Sequence, residues 1–178
     1  LRHGRLWNFS RPTSRRNLTS LLALTALGPP VYNSIMTSHP VIVAEISGNH
    51  NGGLDKALEL VRAAHDSNAD FVKIQTYTPD SITLPINTGA FQIPGSHPLW
   101  GGRSLYDLYT EAHTPLAWHQ PIFELAADLG IGCFSTPFDE SAVEFLENFD
   151  PPMYKVASLE IVDLPLIREV AMTGKPIV

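Results

Sequence analysis

From Val41 onward, short apolar runs alternate with longer stretches in which apolar residues recur every three or four positions. The short runs predict strands and the 3.6-residue recurrence predicts amphipathic helices. The first run, Val41–Ile46, is interrupted only by Glu45 and breaks into Ser47-Gly48-Asn49-His50-Asn51-Gly52-Gly53. It therefore reads as a buried strand entering a loop. Leu54–Asn68 follows as a helix with Leu54, Ala57, Leu58, Val61, Ala64 and His65 on one face, and Asp70–Gln75 is a second strand. A Pro- and Gly-rich excursion runs from Thr76 to about Gly102. Leu105–Glu111 forms a short helix, and Pro115–Leu129 a full one with Pro near its first turn. Ile131–Ser135 is a third strand, Asp139–Phe149 a helix capped by Asp139, and Met153–Ala157 a fourth strand. Leu164–Thr173 is a helix ended by Gly174, and Pro176-Ile177-Val178 begins a fifth strand.

Strand–helix repeats at this spacing predict an α/β fold with a parallel sheet. A doubly wound sheet and a (β/α)8 TIM-type barrel both fit the repeat. No Gly-x-Gly-x-x-Gly follows the first strand, which counts against a dinucleotide-binding version of the former. The polar residues gather at the C-terminal ends of four different strands: Glu45, Lys73 with Gln75, Ser135 with Thr136, and Lys155 with Ser158 and Glu160. Catalytic residues spread over many strand ends are the habit of a barrel. Four units and part of a fifth are present, so the expectation is a barrel truncated to about its first half.

Residues 1–38 differ from the rest. They hold five arginines and no acid. Thr13-Ser14-Arg15-Arg16-Asn17-Leu18 before an apolar stretch resembles a twin-arginine export signal. Met36, however, leads straight into the first strand. Residues 1–38 are therefore read as an extension, disordered or untranslated, and residues 39–178 as the N-terminal half of a barrel domain. Hydrophobic content of 44% and charged content of 17% are globular values. A net charge of −6 without a basic stripe argues against nucleic acid as a partner. No stretch reaches the ~18 apolar residues of a membrane span, so no membrane partner is expected and the chain is placed in the cytoplasm. The single cysteine, Cys133, rules out an internal disulfide and reads as a small buried thiol.

A lysine at the end of an apolar run either snorkels to solvent or faces an anion. Lys73 and Lys155 occupy corresponding ends of separate strands, which favours an anion site. Gln75, Ser158, Ser135 and Thr136 add neutral donors, a set suited to a phosphate plus a carboxylate. Glu45 and Glu160 are the candidate acid–base carboxylates; the bland alternative is a pair of Lys–Glu ion pairs that only orient strand ends. His50, between two asparagines, could meet substrate, although a lone loop histidine is more often a surface residue. His113 and His119 do not share a helical face, so no metal-ligand pair is expected here. Trp100, Tyr106, Tyr109 and Trp118 make the region after the excursion aromatic-rich, either packing over a barrel mouth or forming a sugar-contacting wall.

Four motifs in this order, AEISGNHNG, VKIQTYTPD, FSTPFD and YKVASLEIVDLPLI, resemble the sialic acid synthase family of phosphoenolpyruvate-condensing barrels. The resemblance runs from Val41 to Val178, and the segment LWGGRSLYDLYTEAHTPLAWHQPIF is similar to the pseudaminic acid synthase branch. It implies condensation of phosphoenolpyruvate with an amino-sugar aldehyde, a 2,4-diacetamido-2,4,6-trideoxy hexose, to give a nine-carbon 2-keto acid and phosphate. It implies phosphoenolpyruvate contacts for Lys73, Lys155 and Ser158, positions near the reacting substrates for Gln75 and Thr136, and acid–base or intermediate-stabilising roles for Glu45 and Glu160. Asn49, His50 and Tyr77 are implied at the mouth. A divalent metal, Mn or Mg, is expected with ligands beyond Val178, and a homodimer is expected for a full-length parent. Other acceptors on the same chemistry, N-acetylneuraminate or legionaminate synthesis, and a non-catalytic half-barrel that binds a phosphorylated ligand or a partner chain are the competing expectations.

Overall fold

The structure, a computed structural model, describes residues 40–178; the extension expected at 1–38 lies outside them. Three strands, β1 (Val43–Glu45), β2 (Phe71–Thr76) and β3 (Gly132–Pro137), form a parallel sheet in chain order. Helix α1 (Leu54–Asp66) connects β1 to β2. The second connection is longer: α2 (Pro79–Ile82), a 3-10 turn at Gly89–Phe91, α3 (Leu105–Ala112) and α4 (Leu116–Leu129). After β3 come α5 (Glu140–Leu146) and α6 (Leu164–Met172).

Local chemistry sets the helix ends. The Ser104, Asp139 and Asp163 side chains accept from the Asp107, Ala142 and Leu166 amides, satisfying donors that a helix start leaves unpaired. Gly130 ends α4 in the left-handed conformation at φ 76°, a region that costs a residue with a Cβ. His65, expected on the buried face of α1, is instead exposed and contacts Asp66, while Ala64 beside it carries the buried face.

The pleat sorts β2 and β3 into two sets. Val72, Ile74 and Cys133 face α1 and α4, packing with Ala57, Val61, Ile122 and Ala126 in one core. Burying a side chain such as Ile74 or Ile122 fully stabilises the fold by roughly 1.5–3 kcal/mol. Cys133 is the buried thiol that the sequence suggested, its pKa pushed up to about 12 by burial. A second core joins Val143 and Leu146 of α5, Leu166 and Val170 of α6, and Tyr154.

Two expectations about strands are corrected. Val41–Ile46 is not a buried strand: only Val43–Glu45 is extended, and Ile42 is 54% exposed. Among the described residues β1 has a neighbour on one side only, β2, so one edge stays open. Ile42, Ala44, Leu60, Ala63 and Ala64 line an apolar groove of about 320 Å³ along it. The expected fourth and fifth strands shrink to single bridges, Ser135 with Tyr154 and Tyr154 with Ile177. Pro151, Pro152 and Pro176 flank these residues, and each removes a ladder donor. Both bridges are parallel and continue the order of β1, β2 and β3 without reversal. Among the described residues no helix is long and apolar enough to cross a membrane.

Gly132 pairs with Phe71 across β2 and β3, and a Cβ there would land on the Phe71 ring, itself edge-on to Phe134. Gly132→Ala is expected to cost about 1–3 kcal/mol in denaturant unfolding, the range for overpacking. In a Phe71→Leu background the same change should cost measurably less; an equal cost in both backgrounds would remove the ring as the cause.

Candidate active site

The second set of strand residues builds the site. Glu45 pairs in register with Lys73, and Gln75 with Thr136, so all four lie on the sheet face turned away from α1 and α4. The Lys73 ammonium is ion-paired with Glu45 and donates to Thr136 Oγ1 at 3.3 Å. The Ser47 hydroxyl donates to Gln75 Oε1 at 3.2 Å, tying the loop after β1 to the same face. Lys155 follows the Tyr154 bridge, its amide bonded to the Ser135 carbonyl, and its charge reaches Lys73.

Lys73 is 6% exposed. Burial, and secondarily the Lys155 charge, lowers its pKa to about 8. Glu45 pulls the other way, but its side chain is 41% exposed and water screens the attraction. The expectation of a buried Glu45 is thus corrected, since the open edge of β1 leaves it wet. Two ammonium groups, a buried hydroxyl, a carboxamide and a solvated carboxylate together suit an anionic ligand that must also exchange a proton.

Other expected residues lie elsewhere. Ser158 is exposed, and Glu160 opens a 3-10 turn at Glu160–Val162, with its Oε2 buried and without a hydrogen-bond partner. No hydrogen bond or ion pair joins either of them to the Lys73 cluster among the described residues. Asn49 is exposed on the loop. His50 is not at the surface: it is 1% exposed and edge-on to Trp118. Its Nδ1 accepts from the Gly52 amide at 3.1 Å and its Nε2 lies 3.5 Å from Thr114 Oγ1. With both nitrogens engaged it clasps the Ser47–Gly53 loop, and burial holds its pKa below the usual value. Tyr77 is also inside, 4% exposed and edge-on to Tyr109 and Phe138, with burial raising its phenol to about 12. Its aromatic neighbours, rather than an open mouth, determine that position.

Ser135 is corrected too. It belongs to the helix-facing set, as does Thr76, and the two hydroxyls meet at 2.6 Å. Thr76 Oγ1 is 2.8 Å from His119 Nε2, and His119 Nδ1 donates to the Pro115 carbonyl at 3.3 Å. A carbonyl only accepts, so Nδ1 carries the proton, Nε2 accepts from Thr76, and Ser135 donates to Thr76. Sequence reasoning missed this chain of buried hydrogen bonds. The signal was present: His119 recurs with Ile122 and Ala126 on the buried face of α4. Among the described residues no three His, Cys, Asp or Glu side chains are grouped to hold a metal ion.

Residues 60–178 match the model of the NeuB family. Pseudaminic acid synthase of Helicobacter pylori is 52% identical over 143 residues, 80% of this chain and 42% of that protein. Pseudaminic acid synthase of Campylobacter jejuni is 50% identical over 135 residues, 76% of this chain and 39% of that protein. Among solved structures, the Bacillus subtilis spore coat polysaccharide biosynthesis protein spsE superposes with a TM-score of 0.58 at 30% identity. It covers 79% of this chain and 36% of its own. The chain thus spans about two fifths of the length of these curated relatives.

Burial lowers the His119 pKa from 6.5 to about 4. Between those values the unfolded chain takes a proton that the folded chain refuses. Stability from this group is therefore complete above pH 6.5 and is lost as pH falls toward 4, by on the order of 3 kcal/mol. His119→Gln should flatten the pH dependence of unfolding free energy in that window; an unchanged slope would show that the loss comes from other groups.

Proposed function

The chain belongs to the NeuB family, and from that membership we propose that it is the N-terminal part of a synthase that condenses phosphoenolpyruvate with 2,4-diacetamido-2,4,6-trideoxy hexose to give pseudaminic acid and phosphate. The observation that carries this reading is the Glu45–Lys73–Thr136 cluster with Lys155 beside it, set on one face of neighbouring parallel strands, with Glu45 and Thr136 at their C-terminal ends and Lys73 in mid-strand. Identity of about half to two pseudaminic acid synthases supports the choice of acceptor.

In this reading the sheet is the first part of a (β/α)8 wall. Its strands run parallel in chain order and the bridges at Tyr154 and Ile177 extend that order, whereas a doubly wound sheet reverses. The groove beside β1 and the exposed Leu159, Ile161, Val162 and Leu164 are the apolar surface that further wall and helices would cover. The reaction is placed in the cytoplasm, where phosphoenolpyruvate is made.

Phosphoenolpyruvate carries phosphate and carboxylate; Lys73, Lys155 and Thr136 supply the charges and hydroxyl that hold them, and Ser158, outside that cluster in the resting chain, is proposed to join them when the ligand binds. Gln75, fixed by Ser47, orients the reactants. The C2–C3 electron pair forms the new bond from C3 to the aldehyde carbon, whose oxygen takes up a proton. Water adds at C2 and gives a proton to a carboxylate; the tetrahedral intermediate then expels phosphate and leaves the 2-keto group. Glu45 and Glu160 share these proton transfers. Glu45 is ion-paired with Lys73 in the resting site, and Glu160 keeps one buried oxygen without a hydrogen-bond partner. A divalent ion, Mn or Mg, is proposed to act with ligands outside this chain. The described residues do not fit such an ion, and no step is assigned to a metal held here.

Full-length synthase carrying this segment should release phosphate from phosphoenolpyruvate with the diacetamido trideoxy sugar; release with N-acetylmannosamine alone would overturn the acceptor. Lys73 is near 8 with the edge of β1 open, so in full-length synthase kcat/KM for phosphoenolpyruvate should fall on the alkaline side, no lower than about pH 8, as the ammonium is lost. Lys73→Arg, which stays charged, should move that alkaline limb upward even if its plateau is lower. A limb that stays in place would assign the titration to another group.

A further inference from the structure

Gly48, Asn51, Trp100, Glu111 and Ala112 enclose a hollow of about 100 Å³ beside the loop that follows β1. Whole small ligands occupy pockets of roughly 300–1,000 Å³, so this one suits a single substituent. Its walls are preorganised. Arg103 donates to Glu111 Oε2 at 2.7 Å and lies 4.9 Å from the centre of the Trp100 ring, so one side chain fixes both the carboxylate and the aromatic plane. Asn51 is held in the left-handed conformation at φ 49°, with its amide bonded to the Gly48 carbonyl. A Cβ on Gly48 would meet the Ala112 carbonyl at 3.3 Å, so the loop lies close against the end of α3.

The chemistry of these walls is specific. Because Arg103 already neutralises Glu111, the hollow favours a neutral polar group over an ammonium, and the carboxylate disfavours phosphate. Glu111 can accept from an amide N–H through its other oxygen, Asn51 can donate to a carbonyl, and the Trp100 ring can pack on a methyl group. Those three features in one small volume describe an acetamido group. The hollow is also tied to the anion site. Gly48 is one residue, about 3.8 Å of chain, from Ser47, which bonds Gln75 beside Thr136.

The geometry points to this hollow as the recognition site for one acetamido group of the acceptor sugar, adjacent to the anion site around Lys73. This rests on the proposed acceptor and adds to it a place where one substituent is read. It also accounts for the aromatic region after the excursion: Trp100 serves as a wall, whereas Tyr109 and Trp118 pack inward against Tyr77 and His50.

The test uses full-length synthase with three acceptors: the diacetamido sugar and the two analogues in which one or the other acetamido group is replaced by hydroxyl. Trp100→Leu should raise KM for the diacetamido sugar about tenfold or more, the effect of ~1.4 kcal/mol. It should leave KM unchanged for phosphoenolpyruvate and for the analogue that lacks the recognised group. Asn51→Asp, which keeps the left-handed turn while removing the amide donor, should act in the same direction and serves if Trp100→Leu does not fold. A KM that does not move, or that moves equally for all three acceptors, would overturn the assignment. Failure of the proposed acceptor would show separately, as wild-type enzyme that rejects the diacetamido sugar. The same comparison, made on the accepted sugar with and without its acetamido group, would then decide the hollow.

Discussion

The Lys73 ammonium, buried between Glu45 and Thr136, is the interaction on which the site depends. A lysine is rarely so deeply covered, because removing its charge from water is costly. Here the cost is imposed by the pleat. Val72 and Ile74 point into the core with α1 and α4, so Lys73 between them must point to the opposite face. The packing that makes β2 the centre of the sheet is therefore what places a partly destabilised cation beside a carboxylate and a hydroxyl.

The same alternation decides which polar residues belong to the site and which to the scaffold. Thr136 and Ser135 are adjacent in sequence, yet one faces Lys73 and the other bonds Thr76 behind the sheet. His119 extends that second group into α4 and accepts from the Thr76 hydroxyl, adding a buried partner to the Ser135–Thr76 pair. His50 does comparable work for the loop after β1, holding its turn through the Gly52 amide. Both histidines have both ring nitrogens engaged within the scaffold.

Much of this was legible before the structure. The order of strands and helices, the cap at Asp139, the stop at Gly174, and the grouping of Lys73, Gln75 and Thr136 followed from periodicity and turn chemistry. Three features were not. The exposure of Glu45 depends on what lies beyond the edge of β1, and a run of apolar residues does not say how many neighbours its strand has. The shrinkage of the fourth and fifth strands comes from prolines that cap a ladder without interrupting the hydrophobic pattern. His50 was misread because a glycine- and asparagine-rich loop suggests the surface, whereas the ring of Trp118, 68 positions away in the chain, covers it.

Edge and site are energetically coupled through Glu45. The residue lies in β1, whose outer side borders the apolar groove, and it is also the partner of Lys73. Two unit charges about 4 Å apart attract by roughly 1 kcal/mol in water and by about 4 kcal/mol at an effective dielectric constant of 20. Any element laid along β1 would pair its open edge, cover Ile42 and Ala44, and dry the Glu45 carboxylate in the same step. The ion pair would then strengthen and oppose the burial that lowers the Lys73 pKa, keeping the ammonium charged to higher pH. Completion of the sheet and tuning of the anion site are thus one physical event, because a single glutamate stands at both.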